Sequence, residues 1–133
     1  MILSRFIILF LMLLNVTDVF GQLTEPNNKH KYKEQEAKNE IDKIYQRIIG
    51  GEEIEDIAQE VSQDPGTFLR GGVIGMVNPS AVYVDDFVLA IEDLKINEVS
   101  KPFRTDFGYH IAKVLLKKKD KMLIQHILII VRD

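Results

Sequence analysis

The sequence predicts an α+β domain in which an antiparallel sheet of about four short strands is covered by three to four helices. Apolar residues recur at helical spacing through the first half of the folded region. Two segments rich in Ile, Leu and Val flank a lysine-rich turn near the C-terminus. The elements read in the order helix, helix, strand, helix, strand, strand, strand, a pattern of segregated rather than alternating units.

The chain of 133 residues is 46% hydrophobic and 28% charged, ordinary for a globular fold. Part of the apolar content belongs to the opening segment. MILSRFIILFLMLLNVTDVFGQ carries one basic residue, Arg5, then an apolar run from Phe6 to Leu14, then a more polar stretch ending in Gly21. That layout predicts a signal peptide over residues 1–21, with Val19 and Gly21 at the small-residue positions and Gln22 as the mature N-terminus. The alternative is a retained anchor, but the run falls short of the roughly 20 apolar residues that cross a bilayer. Membrane association is therefore expected only through an uncleaved signal segment.

The chain has no cysteine, which excludes disulfides, thiol catalysis and a lipid attachment point after the apolar run. Export without cysteine predicts the periplasm or cell envelope. Cleavage removes Arg5 and Asp18 together and leaves the net charge at −3, which provides no electrostatic footprint for nucleic acid. The run Lys117, Lys118, Lys119 and Lys121 reads as a solvated turn.

Residues 22–33 are polar, contain Pro26 and lack periodicity, as a linker does. From Lys33, the stripe Ala37, Ile41, Ile44, Tyr45, Ile48 and Ile49 predicts a helix that stops at Gly50-Gly51. A second helix is expected from Glu52 to Val61, before the turn cluster SQDPG. GGVIGMV reads as a strand. SAVYVDDFVLAIEDL reads as one helix, with Phe87, Ala90, Ile91 and Leu94 on one face, Ser80 as N-cap and Asp85 and Asp86 near its positive end. EVSKPFRT predicts an edge strand, because Pro102 cannot donate to a central ladder. Tyr109 to Leu116 and Met122 to Val131 are the two longest expected strands.

Four short motifs follow one another: IIGGEEIEDIAQEVSQDPGT, RGGVIG, FVLAIEDLKINEVSKPF and TDFGYHIAKV. Over residues 36–117 their order and spacing resemble the parvulin-type peptidyl-prolyl isomerases, or rotamases, including exported folding factors of the SurA and PrsA kind. Val73 stands where that family has an Asp, Asn97 where a Gly precedes E-V-S, and Tyr83 where a Met is usual. The family's first strand carries H-I-L ahead of the first helix, and here that place holds NKHKYKE, whose His30 lies among polar neighbours. An H-I-L occurs instead in LIQHILII, around His126.

Two organisations follow for a domain over residues 34–121. Residues 122–133 begin a truncated second domain, or they fold back as a permuted first strand. A hairpin centred on Lys118 sets His110 directly opposite His126, which places both imidazoles on one face of the sheet. A one-residue slip sends His126 to the other face.

The resemblance implies a prolyl isomerase without cofactor or metal, acting on unfolded or partly folded exported polypeptides that contain X-Pro bonds. It implies an apolar cup of Ile74, Tyr83 and Phe87 with Phe107 at its rim, beside a polar network of Asp64, His110 and the first-strand histidine, a role that His126 fills in the permuted arrangement. Asp64 can fix an imidazole tautomer by accepting its N–H. Taken singly, Ile74 and Phe87 read as core, Asp64 as a turn residue capping its own backbone, His110 as a satisfied strand histidine, and Tyr83 as a helix residue with its hydroxyl in water. A catalytically weak peptide-binding chaperone module is the alternative function. Asp85 and Asp86 diverge on a helix and make no carboxylate pair, and His30 with Glu34 offers too few ligands for a metal site. No phosphate loop is present, and no basic cluster that selects phosphopeptides precedes the first helix.

Overall fold

The computed structural model describes residues 30–132, so the signal-peptide segment expected over 1–21 lies outside the described residues. Helix α1 (Glu34–Ile49) buries Ala37, Ile41 and Ile44, and Ile49, at the end of the predicted stripe, is exposed. Its start is held by Glu36, whose carboxylate accepts the Lys33 N–H at 3.0 Å. Gly51, at φ 108°, turns the chain away. Helix α2 (Ile54–Val61) buries Ile54, Ile57 and Ala58. Both helices pack on one face of the sheet, against Ile111, Ile127 and Ile129.

The sheet contains β1 (Val73–Val77), β2 (Phe103–Thr105), β3 (Gly108–Lys118) and β4 (Lys121–Ile130), in the spatial order β1-β4-β3-β2 with every pair antiparallel. The last strand in sequence is thus central, and β2 lies at an edge, as Pro102 requires. Both central strands alternate. Ile111, Ile127 and Ile129 face α1 and α2, whereas Ala112, Val114 and Ile124 face the opposite side, where Phe87 and Ile91 cover them.

The β3–β4 ladder changes register along its length. Near the turn Lys118 pairs with Lys121 and Leu116 with Leu123; beyond a bulge at residue 115, Val114 pairs with Ile124 and Ala112 with His126. His110 consequently faces Leu128, which corrects the expected direct His110–His126 pair by two residues. An even displacement preserves the face, so the two rings still share it. The expectation failed because a hairpin read from the lysine run alone contains neither the bulge nor the true turn at Lys119-Asp120.

The helix expected over residues 80–94 is two helices, α3 (Pro79–Val82) and α4 (Asp85–Ile91), with Tyr83 and Val84 extended between them. Asn78 rather than Ser80 precedes α3, and Pro79 takes its first turn, where a missing N–H is tolerated. Tyr83 stacks on Phe87 across the break, with ring centroids 4.5 Å apart. At the other end of the fold, Tyr32 forms a parallel bridge with Val131, and Glu34 ties α1 to the sheet through Arg104 at 2.8 Å and the Tyr109 hydroxyl at 2.6 Å.

Gly72 sits at φ 83°, and a Cβ there would lie 2.2 Å from the His126 carbonyl oxygen. Its own carbonyl accepts the His126 N–H at 2.9 Å. Gly72→Ala is expected to lower stability by roughly 2–3 kcal/mol in urea denaturation, since neither backbone can yield. Removing residues 122–133 is expected to abolish cooperative thermal unfolding followed by circular dichroism, because β1 and β3 lose their shared partner.

Candidate functional site

Two serines attach flanking segments to the central strands. Ser62 Oγ accepts the Leu128 N–H at 3.2 Å while the Gln63 N–H donates to the Leu128 carbonyl at 2.7 Å. Asp64, the next residue, is thereby delivered to the side of β4 that carries His126. On the far edge, the Ser100 N–H donates to the Ala112 carbonyl at 2.8 Å and Ser100 Oγ accepts the Ala112 N–H at 2.9 Å. That anchor sets β2 so that Phe103 pairs with His110. Asn97, in place of the family's glycine, takes φ 67°, a left-handed conformation that asparagine tolerates.

Phe103, His110 and His126 then form a row of rings across β2, β3 and β4. Phe103 and His110 stack at 5.3 Å and 14°, and His110 and His126 at 5.8 Å and 19°. Phe87 reaches down from α4 and meets both imidazoles edge-on, at 5.5 Å and 5.9 Å. The histidines are 4% and 6% exposed, so their polar atoms need partners inside the protein. His126 Nε2 lies 2.7 Å from Asp64 Oδ2, and His110 Nε2 lies 2.7 Å from Thr105 Oγ1. Both Nδ1 atoms are buried without a hydrogen-bond partner.

Asp64 uses both oxygens. Oδ1 accepts the Gly66 N–H at 3.1 Å, closing the expected turn, while Oδ2 faces His126 and accepts the Thr67 hydroxyl at 2.6 Å. Burial alone would raise the carboxyl, but the hydrogen bonds from His126 and Thr67, the His126 charge and the Gly66 N–H outweigh it and hold Asp64 well below the usual carboxylate range. Burial also pushes the His110 imidazole down to about 3, helped by His126 and Arg104 and opposed by Asp64. Tyr83 is raised by burial and by the Asp64 charge.

These groups line an open cavity of about 300 Å³ formed by Asp64, Tyr83, Val84, Phe87, Thr105, Phe107, His110, His126 and Leu128. Six of the seven residues expected at a site are thus together, and Phe107 is exposed at the mouth. The seventh, Ile74, sits at a β1 bulge and packs into the cluster around Phe87 rather than lining the cavity. His30 lies elsewhere, with its carbonyl accepting the Gln63 side chain at 2.7 Å. Sequence reasoning missed Thr67, Thr105, Leu128 and the stacking Phe103. The threonines carry no signal beyond their nearness to Asp64 and to F-G-Y-H.

A family model described as the PPIC-type PPIase domain matches residues 16–115, a span that holds Asp64 and His110 and ends before His126. The chain is 40% identical over 82 residues to Chaperone SurA of Pseudomonas aeruginosa, covering 62% of this chain and 19% of that protein. It is 43% identical over 86 residues to Foldase protein PrsA of Geobacillus kaustophilus, covering 65% of this chain and 28% of that protein. The chain therefore spans well under a third of the length of these relatives.

Protonation of His110 favours the unfolded chain between the ordinary histidine value of 6.5 and the folded value of about 3. Stability is complete above that window and falls as the pH drops through it, by about 1.4 kcal/mol per pH unit for one proton. Asp64, whose folded value is depressed, adds a further loss only below the ordinary carboxylate value of 3.8. Urea denaturation at a series of pH values is expected to show a shallower decline for His110→Phe than for the parent.

Proposed function

The chain belongs to the PPIC-type PPIase domain family, and from that premise we propose that it is a peptidyl-prolyl isomerase assisting the folding of exported proteins. The observation that carries this reading is the cavity itself, an apolar cup under Phe87 and Tyr83 walled by two stacked imidazoles and an ionised carboxylate. The clients proposed are unfolded or partly folded polypeptides with X-Pro bonds, met in the periplasm or cell envelope.

Rotation about a peptide bond passes a barrier of about 18–20 kcal/mol because amide resonance is lost. Catalysis then requires tighter binding of the twisted amide than of either planar isomer, with no covalent bond to the substrate. A twisted amide has less charge separation between oxygen and nitrogen, so an apolar cup that displaces water from the proline ring favours it. Phe87, Tyr83, Val84 and Leu128 supply that cup, and Phe107 offers an exposed edge for the flanking chain. His110, neutral because it is buried, brings no charge to the reacting bond. Asp64 Oδ2 meets His126 Nε2 at 2.7 Å.

A peptide-binding chaperone module of weak activity is the second reading, supported by the exposed Val84, Leu89 and Phe107 and by a relative named a chaperone. A protease-coupled assay on a short X-Pro peptide separates the two. Micromolar protein is expected to accelerate isomerisation, with Asp64→Asn lowering kcat/KM at least about tenfold, or about 1.4 kcal/mol of transition-state stabilisation. No acceleration by folded protein that still binds an unfolded client would reject the isomerase in favour of the chaperone module.

A further inference from the structure

We propose that Thr67 is the positioning residue that holds the His126–Asp64 pair in one geometry and one tautomer. Its hydroxyl donates to Asp64 Oδ2 at 2.6 Å, and its oxygen lies 3.2 Å from His126 Nε2. His126 Nε2 reaches the same carboxylate oxygen at 2.7 Å. The three polar atoms close a triangle. Because the single hydroxyl hydrogen is engaged by the carboxylate, the Thr67 oxygen meets His126 as an acceptor. Nε2 therefore carries the proton, and in the neutral ring Nδ1 keeps the lone pair.

The main chain reinforces this placement. The Thr67 carbonyl accepts the N–H groups of Arg70 and Gly72, each at 2.9 Å, and the Gly72 carbonyl accepts the His126 N–H at 2.9 Å. One residue is thus joined to His126 twice, directly through its side chain and indirectly through Gly72. Thr67 also precedes the 3₁₀ turn Phe68–Arg70, yet its side chain makes no capping bond there. The backbone holds that turn, which leaves the hydroxyl to the site. Its 7% exposure shields these bonds from exchange with bulk water, and β-branching restricts χ1 so that the oxygen stays aimed.

The test compares Thr67→Val, Thr67→Ala and Thr67→Ser in the full chain, using imidazole ¹⁵N–¹H correlation spectra and steady-state isomerase kinetics, of which only the kinetic arm rests on the isomerase reading. Val and Ala are expected to give mixed tautomers for His126 and to lower kcat at least about tenfold with KM within about twofold, while Ser restores the parent pattern. The proposal is overturned if folded Val and Ala variants keep the parent His126 spectrum, or if Ser behaves like Ala. A parent without isomerase activity whose Val variant still loses the tautomer would sink the isomerase reading and leave the positioning role intact. An active parent with an unmoved tautomer in both variants would do the reverse. Because Ala removes the hydroxyl with less bulk than Val, failure of the Val variant to fold leaves the spectroscopic comparison decisive.

Discussion

The site depends on one extra residue in β3. Continued from the turn without the bulge at residue 115, the ladder would set Lys113 opposite His126, and His110 opposite Ile129 on the face that α1 and α2 cover. His126 would remain on the α4 face with Met122 and Ile124, and the two imidazoles would be separated by the thickness of the sheet. With the bulge, His110, Ala112 and Val114 join Ile124 and His126 on the α4 face while Ile111 joins Ile127 and Ile129 in the other core. A local irregularity in hydrogen bonding thus decides both the packing of two hydrophobic layers and the meeting of two titratable rings. Glycines at 72 and 108 serve the same strand, since a side chain at either would strike the carbonyl of His126 or Ile129.

Burying two imidazoles beside a carboxylate costs solvation, and the surroundings answer that cost unevenly. His126 receives an ionised partner and a hydroxyl, whereas His110 receives a hydroxyl alone and stays neutral through burial. Phe87 and Phe103 cover the remaining ring surface, and burying an aromatic side chain of that size contributes about 1.5–3 kcal/mol. The cavity above is bounded by rigid strands on one side and by the extended Tyr83-Val84 segment on the other. Splitting the expected single helix is what places Tyr83 and Val84 along that wall.

Much of this was legible in the residues. The stripe of Ala37, Ile41 and Ile44 fixes α1, alternation fixes β3 and β4, and Pro102 keeps β2 at an edge. The order of S-x-D, the glycine pair, the phenylalanine helix and F-G-Y-H pointed to Asp64, Phe87 and His110 as neighbours. Other features leave no mark on composition. A bulge among Val114, Leu115 and Leu116 looks like an uninterrupted strand and a turn at Lys119-Asp120 looks like part of the lysine run, and together they set the register two residues from the expected one. Ile74 has the character of a pocket residue, and at the β1 irregularity it packs half-buried against the cluster around Phe87. Thr67 and Thr105 are common polar residues whose importance comes from what the fold brings to their hydroxyls. The break at Tyr83 leaves no mark on the apolar spacing from Ser80 to Leu94, which reads as one continuous helix.

The central placement of β4 also has a meaning for a chain made one residue at a time. On a ribosome, β1, β2 and β3 emerge first, and the edges of β1 and β3 that β4 will cover stay open, the kind of unpaired edge that invites wrong partners. Pairing Val73 with Gln125 joins distant parts of the chain, so the closing event is late and slow relative to the hairpin itself. The same insertion brings the second imidazole to the first. A nascent polypeptide halted before β4 would thus lack both the middle of its sheet and half of its paired rings, so the fold and the cavity mature in the same step.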